Sequence, residues 1–185
     1  MERDAEATKR RLIAAGRAEF AAHGLNGARV DRIAAAARSN KAQIYHYFGN
    51  KAGLFDAVWN ELVEQIVVSV PLDADDLPGF AAALSDLYAE DPAMPRIITW
   101  QRLEHGSSVN ELGVADVRSR SAAIAEAQAR GLVSTRFEPE VLIALLVHVA
   151  MLWPAANPEV LAVVDLEDRA RRREVVRRIA AALVE

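Results

Sequence analysis

Between residues 8 and 68 apolar side chains recur every three or four positions, yet the pattern is cut three times by residues that end helices. Leu12, Ile13, Gly16 and Phe20 predict a first helix over about 8–23, with Lys9, Arg10, Arg11 and Arg17 outside the stripe. His23-Gly24 ends it, because glycine adopts the left-handed conformation after a helix at little cost, and Asn26-Gly27 reads as a turn. Val30, Ile33, Ala34 and Ala37 predict a short second helix over 30–37. Arg38-Ser39-Asn40 interrupts it, and Asn40 is suited to cap a third helix from Lys41 to Tyr47 or Phe48. Gly49-Asn50-Lys51 then turns the chain into a long helix over about 52–68, carrying Leu54, Phe55, Val58, Leu62 and Ile66.

The remainder keeps the helical period. After an acidic loop at 73–76, helices are expected near 77–89, 95–105, 112–130, 139–153 and 166–183. Pro92, Pro95, Gly106, Gly131, Pro154 and Pro158 fall between or at the ends of these segments. The fold class is therefore all-α. With no cysteine in 185 residues, disulfides, thiolate zinc sites and cysteine nucleophiles are excluded. The first ten residues are charged and lack the apolar stretch of a signal peptide, and the apolar run at 141–154 is too short to span a bilayer. A cytoplasmic chain with no membrane partner is the expectation.

Catalytic constellations fail on spacing. His23, His46, His105 and His148 lie far apart and form no HxxxH or HxxE pair, so no metal site is expected. Glu104 and His105 are adjacent and point in different directions on a helix, and Ser107-Ser108 lacks the glycine elbow of a nucleophile turn. Neither an enzyme nor a cofactor is expected.

Charge is unevenly divided. Residues 1–51 carry ten Lys/Arg against five Asp/Glu, whereas residues 52–185 carry twelve against twenty-one. A basic head on an acidic body directs one end of a protein toward DNA, although solvated helices also carry uneven charge. Two short helices joined by a tight turn, about 29–48, form a helix-turn-helix whose second helix can enter the major groove. Lys41 suits guanine O6/N7 and Gln43 suits adenine N6/N7, while Ala42 permits close approach to a thymine methyl. His46 is left mostly outward; Tyr45, Tyr47 and Lys51 suit phosphates, as does Arg29 just before the second helix. The same spacing also fits a three-helix packing unit with an amphipathic Tyr45-His46-Tyr47 surface.

The residues themselves discriminate further. Asp31-Arg32-Ile33-Ala34, then Ala37, then Ile44-Tyr45-His46-Tyr47-Phe48-Gly49-Asn50-Lys51 with Leu54-Phe55 closely resembles the TetR family of repressors, and the segment AAGRAEFAAHGLNGARV resembles that family's first helix and glycine turn. The resemblance covers roughly 6–66. It implies an all-α homodimer that binds two half-sites of a palindrome. It also implies DNA contacts at Lys41, Ala42, Gln43, Tyr45, Tyr47 and Lys51, with Arg29 where the family often has a phosphate-binding Thr or Ser. One departure stands out: Arg38-Ser39-Asn40 replaces the usual Gly-Val-Ser. A left-handed residue other than glycine costs about 1 kcal/mol, so a reshaped or mildly strained turn is expected.

Residues 67–185 carry no chemical motif and are expected to bind an effector and dimerise. Val141, Leu142, Leu145, Leu146, Val149 and Leu152 form one wide apolar face, and Val175, Val176, Ile179, Ala180 and Leu183 another. The resemblance implies that these last two long helices pair with their partner copies. A small-molecule pocket is expected between the middle helices. Its candidate lining is Trp59 and Leu62, then Tyr88, Trp100, Leu103 and Glu104, then His148 and Met151. Few inward charges are evident, which favours an apolar or aromatic effector. The basic run 169–178 reads as a solvated face beside the acidic body. Two rivals to a ligand-released repressor remain: a helical ligand-binding or scaffolding module without DNA function, and an enzyme in the C-terminal pocket.

Overall fold

The computed structural model describes residues 2–105, 109–164 and 168–185. Among them the chain forms α1 (Glu2–Gly27), α2 (Val30–Ala36), α3 (Lys41–Phe48), α4 (Lys51–Ser69), α5 (Leu77–Glu90), α6 (Ala93–Glu104), α7 (Glu111–Ala129), α8 (Pro139–Ala150), α9 (Leu152–Ala155), α10 (Pro158–Val163) and α11 (Arg169–Val184). No helix among the described residues is long and apolar enough to cross a membrane. Two short helices were not legible as separate elements: α9 follows a break after Ala150, and α10 starts at Pro158 behind the extended Asn157. Gly106, Ser107, Ser108 and Leu166 lie outside the described residues.

The chain divides into two compact units, Met1–Glu64 with Ala93–Val109, and Gln65–Pro92 with Asn110–Glu185. This differs from a single boundary after residue 66, because α6 packs along α1.

In the first unit, α1 to α4 surround a core of Leu12, Phe20, Ile33, Ile44, Leu54 and Phe55, all with no exposed surface. The Phe20 and Phe55 rings meet edge to face at 5.1 Å. Gly16 lets α1 approach α4, since a Cβ there would lie 3.3 Å from the Leu54 side chain.

Gly24 departs from helical geometry at φ 69° and ψ −179°, so the helix kinks there and runs one short turn further to Gly27. A side chain at Gly24 would also press on α6, 2.8 Å from both the Trp100 ring and a Glu104 carboxylate oxygen. Both conformation and space therefore require glycine. Around this kink α6 is tied down by polar contacts. Arg96 Nε donates to the Ala21 carbonyl at 2.6 Å, placing a cation at the carbonyl end of the main α1 segment. Asn26 N–H donates to Glu104 at 3.0 Å, and His105 meets Asp56 at 3.0 Å with its ring against the Phe55 edge.

In the second unit, α5 packs on α11 and α8, and α8 packs on α7. Leu77, Leu84, Ile124, Leu142, Leu146 and Val176 are essentially unexposed there. Arg173 of α11 donates to Asp86 at 2.8 Å and Arg169 to Glu90 at 2.7 Å, so part of the basic run 169–178 faces acidic residues of α5.

Candidate nucleic-acid interface

The helix-turn-helix is assembled from α2 and α3, and its polar ends are satisfied by neighbouring side chains. No residue caps α2 with its own side chain; Glu19 of α1 does so instead, accepting from Arg29 N–H at 2.9 Å and from Arg32 Nε at 2.7 Å. Partial burial pushes the Glu19 carboxyl pKa up, but the hydrogen bonds from Arg32 and the Arg29 backbone outweigh it and hold the group below its usual value.

At the other end of α2, Arg38 is left-handed at φ 50° and Ser39 N–H reaches back to the Ala34 carbonyl at 2.9 Å. This is the glycine-type helix ending, occupied by arginine. The expected local strain is present, and Arg11 offsets part of it by donating to the Ala37 carbonyl at 3.3 Å. Asn40 then caps α3, its side chain accepting from Gln43 N–H at 3.0 Å. A second cap follows at Asn50, which accepts from Gly53 N–H at 2.9 Å. Gly53 is needed there, because a Cβ would overlap the Phe48 carbonyl oxygen.

With Ile44 fully buried, α3 turns its remaining side chains outward. Lys41, Ala42, Tyr45 and His46 are exposed, whereas Gln43 and Tyr47 are half-buried. His46 and Tyr47 stack edge to face at 5.0 Å. Arg29, at the N-cap position of α2, is exposed. Six of the eight residues proposed from sequence to touch DNA therefore lie on α3 with their side chains at least partly accessible, and Arg29 stands at the start of α2.

Two lysines differ from the simplest expectation. Lys41 Nζ lies 2.6 Å from Asp31, and this hydrogen bond holds its pKa above the ordinary lysine range. It reaches a base or phosphate only by sharing or leaving that carboxylate. Lys51, expected as a phosphate contact, spends two N–H groups on the carbonyls of Ala28 at 3.0 Å and Asn26 at 3.2 Å. It ties the start of α4 to the α1–α2 turn. Lys51→Met is therefore expected to destabilise the first unit by about 1–2 kcal/mol. Thermal unfolding followed by circular dichroism reads this, and an unchanged midpoint would rule out the tie.

The residues expected to line a pocket are divided between the two units. Trp59, Leu62, Trp100, Leu103 and Glu104 belong to the first unit, and Tyr88, His148 and Met151 to the second. Leu103 is 71% exposed, and Glu104 and Trp100 brace the Gly24 kink. His148 is exposed, its ring bonded to the Ala144 carbonyl of its own helix at 2.7 Å. Leu62, Tyr88 and Met151 are buried. The polar residue that sequence reasoning missed is Arg120, 7% exposed inside the second unit. Its signal was weak: one of two arginines, with Arg118, in a helix rich in alanine.

Comparison with known proteins agrees with this architecture. The family model described as bacterial regulatory proteins, tetR family, matches residues 12–58, and that described as tetracyclin repressor-like, C-terminal domain, matches 76–181. The chain is 40% identical over 160 residues to the HTH-type transcriptional repressor SCO4008 of Streptomyces coelicolor, covering 85% of this chain and 83% of that protein. A second relative, the HTH-type transcriptional repressor NicS of Pseudomonas putida, is 29% identical over 109 residues, or 55% of this chain and 51% of that one. Among solved structures, the transcriptional regulator SCO4942 of Streptomyces coelicolor superposes with a TM-score of 0.86 at 34% identity, covering 96% of this chain and 98% of the other. Its helix-turn-helix, its helical second unit and these matches across both together establish that the chain belongs to the TetR family of DNA-binding transcriptional regulators.

Proposed function

We propose that this protein is a cytoplasmic repressor that binds a palindromic operator as a homodimer and releases it when a small molecule occupies the second unit. The observation that carries the reading is the outward face of α3, where Lys41, Ala42 and Tyr45 stand exposed on a helix fixed by the Asn40 cap and the buried Ile44. Small and polar residues on such a face suit base edges, while Arg29, His46 and Tyr47 flank it as phosphate contacts. The relatives named as repressors favour repression. Exposed apolar side chains on α8 and α11, Val141 and Ile179, favour pairing of those helices with a second copy.

Selection of randomised duplexes with the purified protein tests this reading. The expected product is a palindrome whose half-sites lie about one helical turn apart or a multiple of it. Failure to enrich any sequence, with affinity indifferent to salt, would favour a ligand-binding or scaffolding module instead.

A further inference from the structure

Inside the second unit one cationic side chain is buried with too few acceptors. Arg120 of α7 is 7% exposed, and its guanidinium lies over the Phe80 ring of α5, 4.8 Å from the centroid. Its ion partner is Asp116, one turn earlier on the same helix, with Nε 2.6 Å from the carboxylate. That approach is off the N–H direction, so Nε makes no hydrogen bond. The next residue, Ser121, is 4% exposed, and its hydroxyl is also unpartnered. Nearly all buried polar groups in folded proteins are satisfied, so a guanidinium nitrogen and a neighbouring hydroxyl that both lack a hydrogen bond call for an explanation.

We propose that Arg120 and Ser121 form the polar end of the effector site, and that the effector is a monocarboxylate with an apolar or aromatic body. A guanidinium presents parallel N–H groups that match the two oxygens of a carboxylate. Ser121 supplies a further donor. Asp116 already balances the Arg120 charge, so negative charge on a ligand is not offset there, and a dianion such as a phosphate monoester is disfavoured more than a monocarboxylate. Phe80 and the fully buried Ile124 give the body of such a ligand apolar surroundings. This inference rests on the reading that the second unit senses a small molecule.

Calorimetry on the full chain without DNA tests it, using phenylacetate, benzoate and octanoate, each against its own amide. At least one carboxylate is expected to bind with a dissociation constant below about 1 mM, its amide at least about 30-fold more weakly, since the ionic hydrogen bonds would be lost. Arg120→Gln should weaken the carboxylate by a similar factor. Should removal of one buried charge unfold the unit, Asp116→Asn with Arg120→Gln removes both charges, and the same loss is expected. No binding by any carboxylate, equal binding of acid and amide, or unchanged binding by a folded variant would overturn the proposal. Binding that leaves operator affinity unchanged would uphold the carboxylate site and overturn ligand-driven release, so the two readings fail separately.

Discussion

Operator affinity is expected to fall about 100-fold when Gln43 and Tyr45 are both replaced by alanine, while the melting temperature moves by no more than about two degrees. Neither side chain is part of the core, and the α3 cap uses the Gln43 backbone rather than its side chain. A bidentate glutamine–adenine contact discriminates by about 1–3 kcal/mol, and a lost phosphate contact adds to that. The single variants should behave differently. Gln43→Ala should relax preference at one base pair of each half-site, whereas Tyr45→Ala should weaken all sequences evenly. Fluorescence anisotropy against the selected operator and single-base variants of it measures both effects. Equal loss on every duplex for both variants would remove Gln43 from base readout.

Phe55→Ala carries the largest expected effect on stability. Phe55 is wholly buried, meets Phe20 edge to face, and on its other side contacts the His105 ring that follows α6. Truncating such a phenylalanine costs about 3–5 kcal/mol, through lost burial and the cavity left behind. A typical domain has about 5–15 kcal/mol in total, so a first unit at the lower end would be largely unfolded. Val68→Ala on the same helix, at a side chain 79% exposed, should change stability by less than about 0.5 kcal/mol. Urea unfolding midpoints of the two variants give the comparison, and similar values would mean that the Phe20–Phe55 contact is not the centre of that core.

The legible parts of this protein were those written locally. Asn40 before Lys41, glycine after His23, and Leu12, Phe20, Ile33 and Ile44 at helical spacing specify caps, kinks and a buried face within a few residues of chain. The left-handed Arg38 was also foreseeable, because the turn it occupies normally takes glycine. What remained hidden depends on partners distant in sequence. Arg96 on the Ala21 carbonyl and Glu104 on the Asn26 N–H attach α6 to α1 across more than seventy residues, a pairing that sequence order does not reveal. Lys51, expected as a phosphate contact, also gives two of its three N–H groups to the Ala28 and Asn26 carbonyls, which its place in the sequence does not reveal. Pocket residues were the least legible, since an apolar side chain in a core and one in a ligand site follow the same helical pattern. Arg120 was visible only once its burial was known.

The central claim, that the outward face of α3 lies against operator bases, is tested most directly by disulfide trapping. The chain has no cysteine, so Ala42→Cys introduces a single thiol on the exposed side of α3. Operator duplexes carrying a thiol-tethered cytosine at each position in turn would be equilibrated with this variant, with Glu126→Cys on α7 as an exposed control. The account predicts cross-linking at one or two adjacent major-groove positions in each half-site and none from the control. Uniform weak trapping at all positions, or a control as efficient as Ala42→Cys, would contradict it.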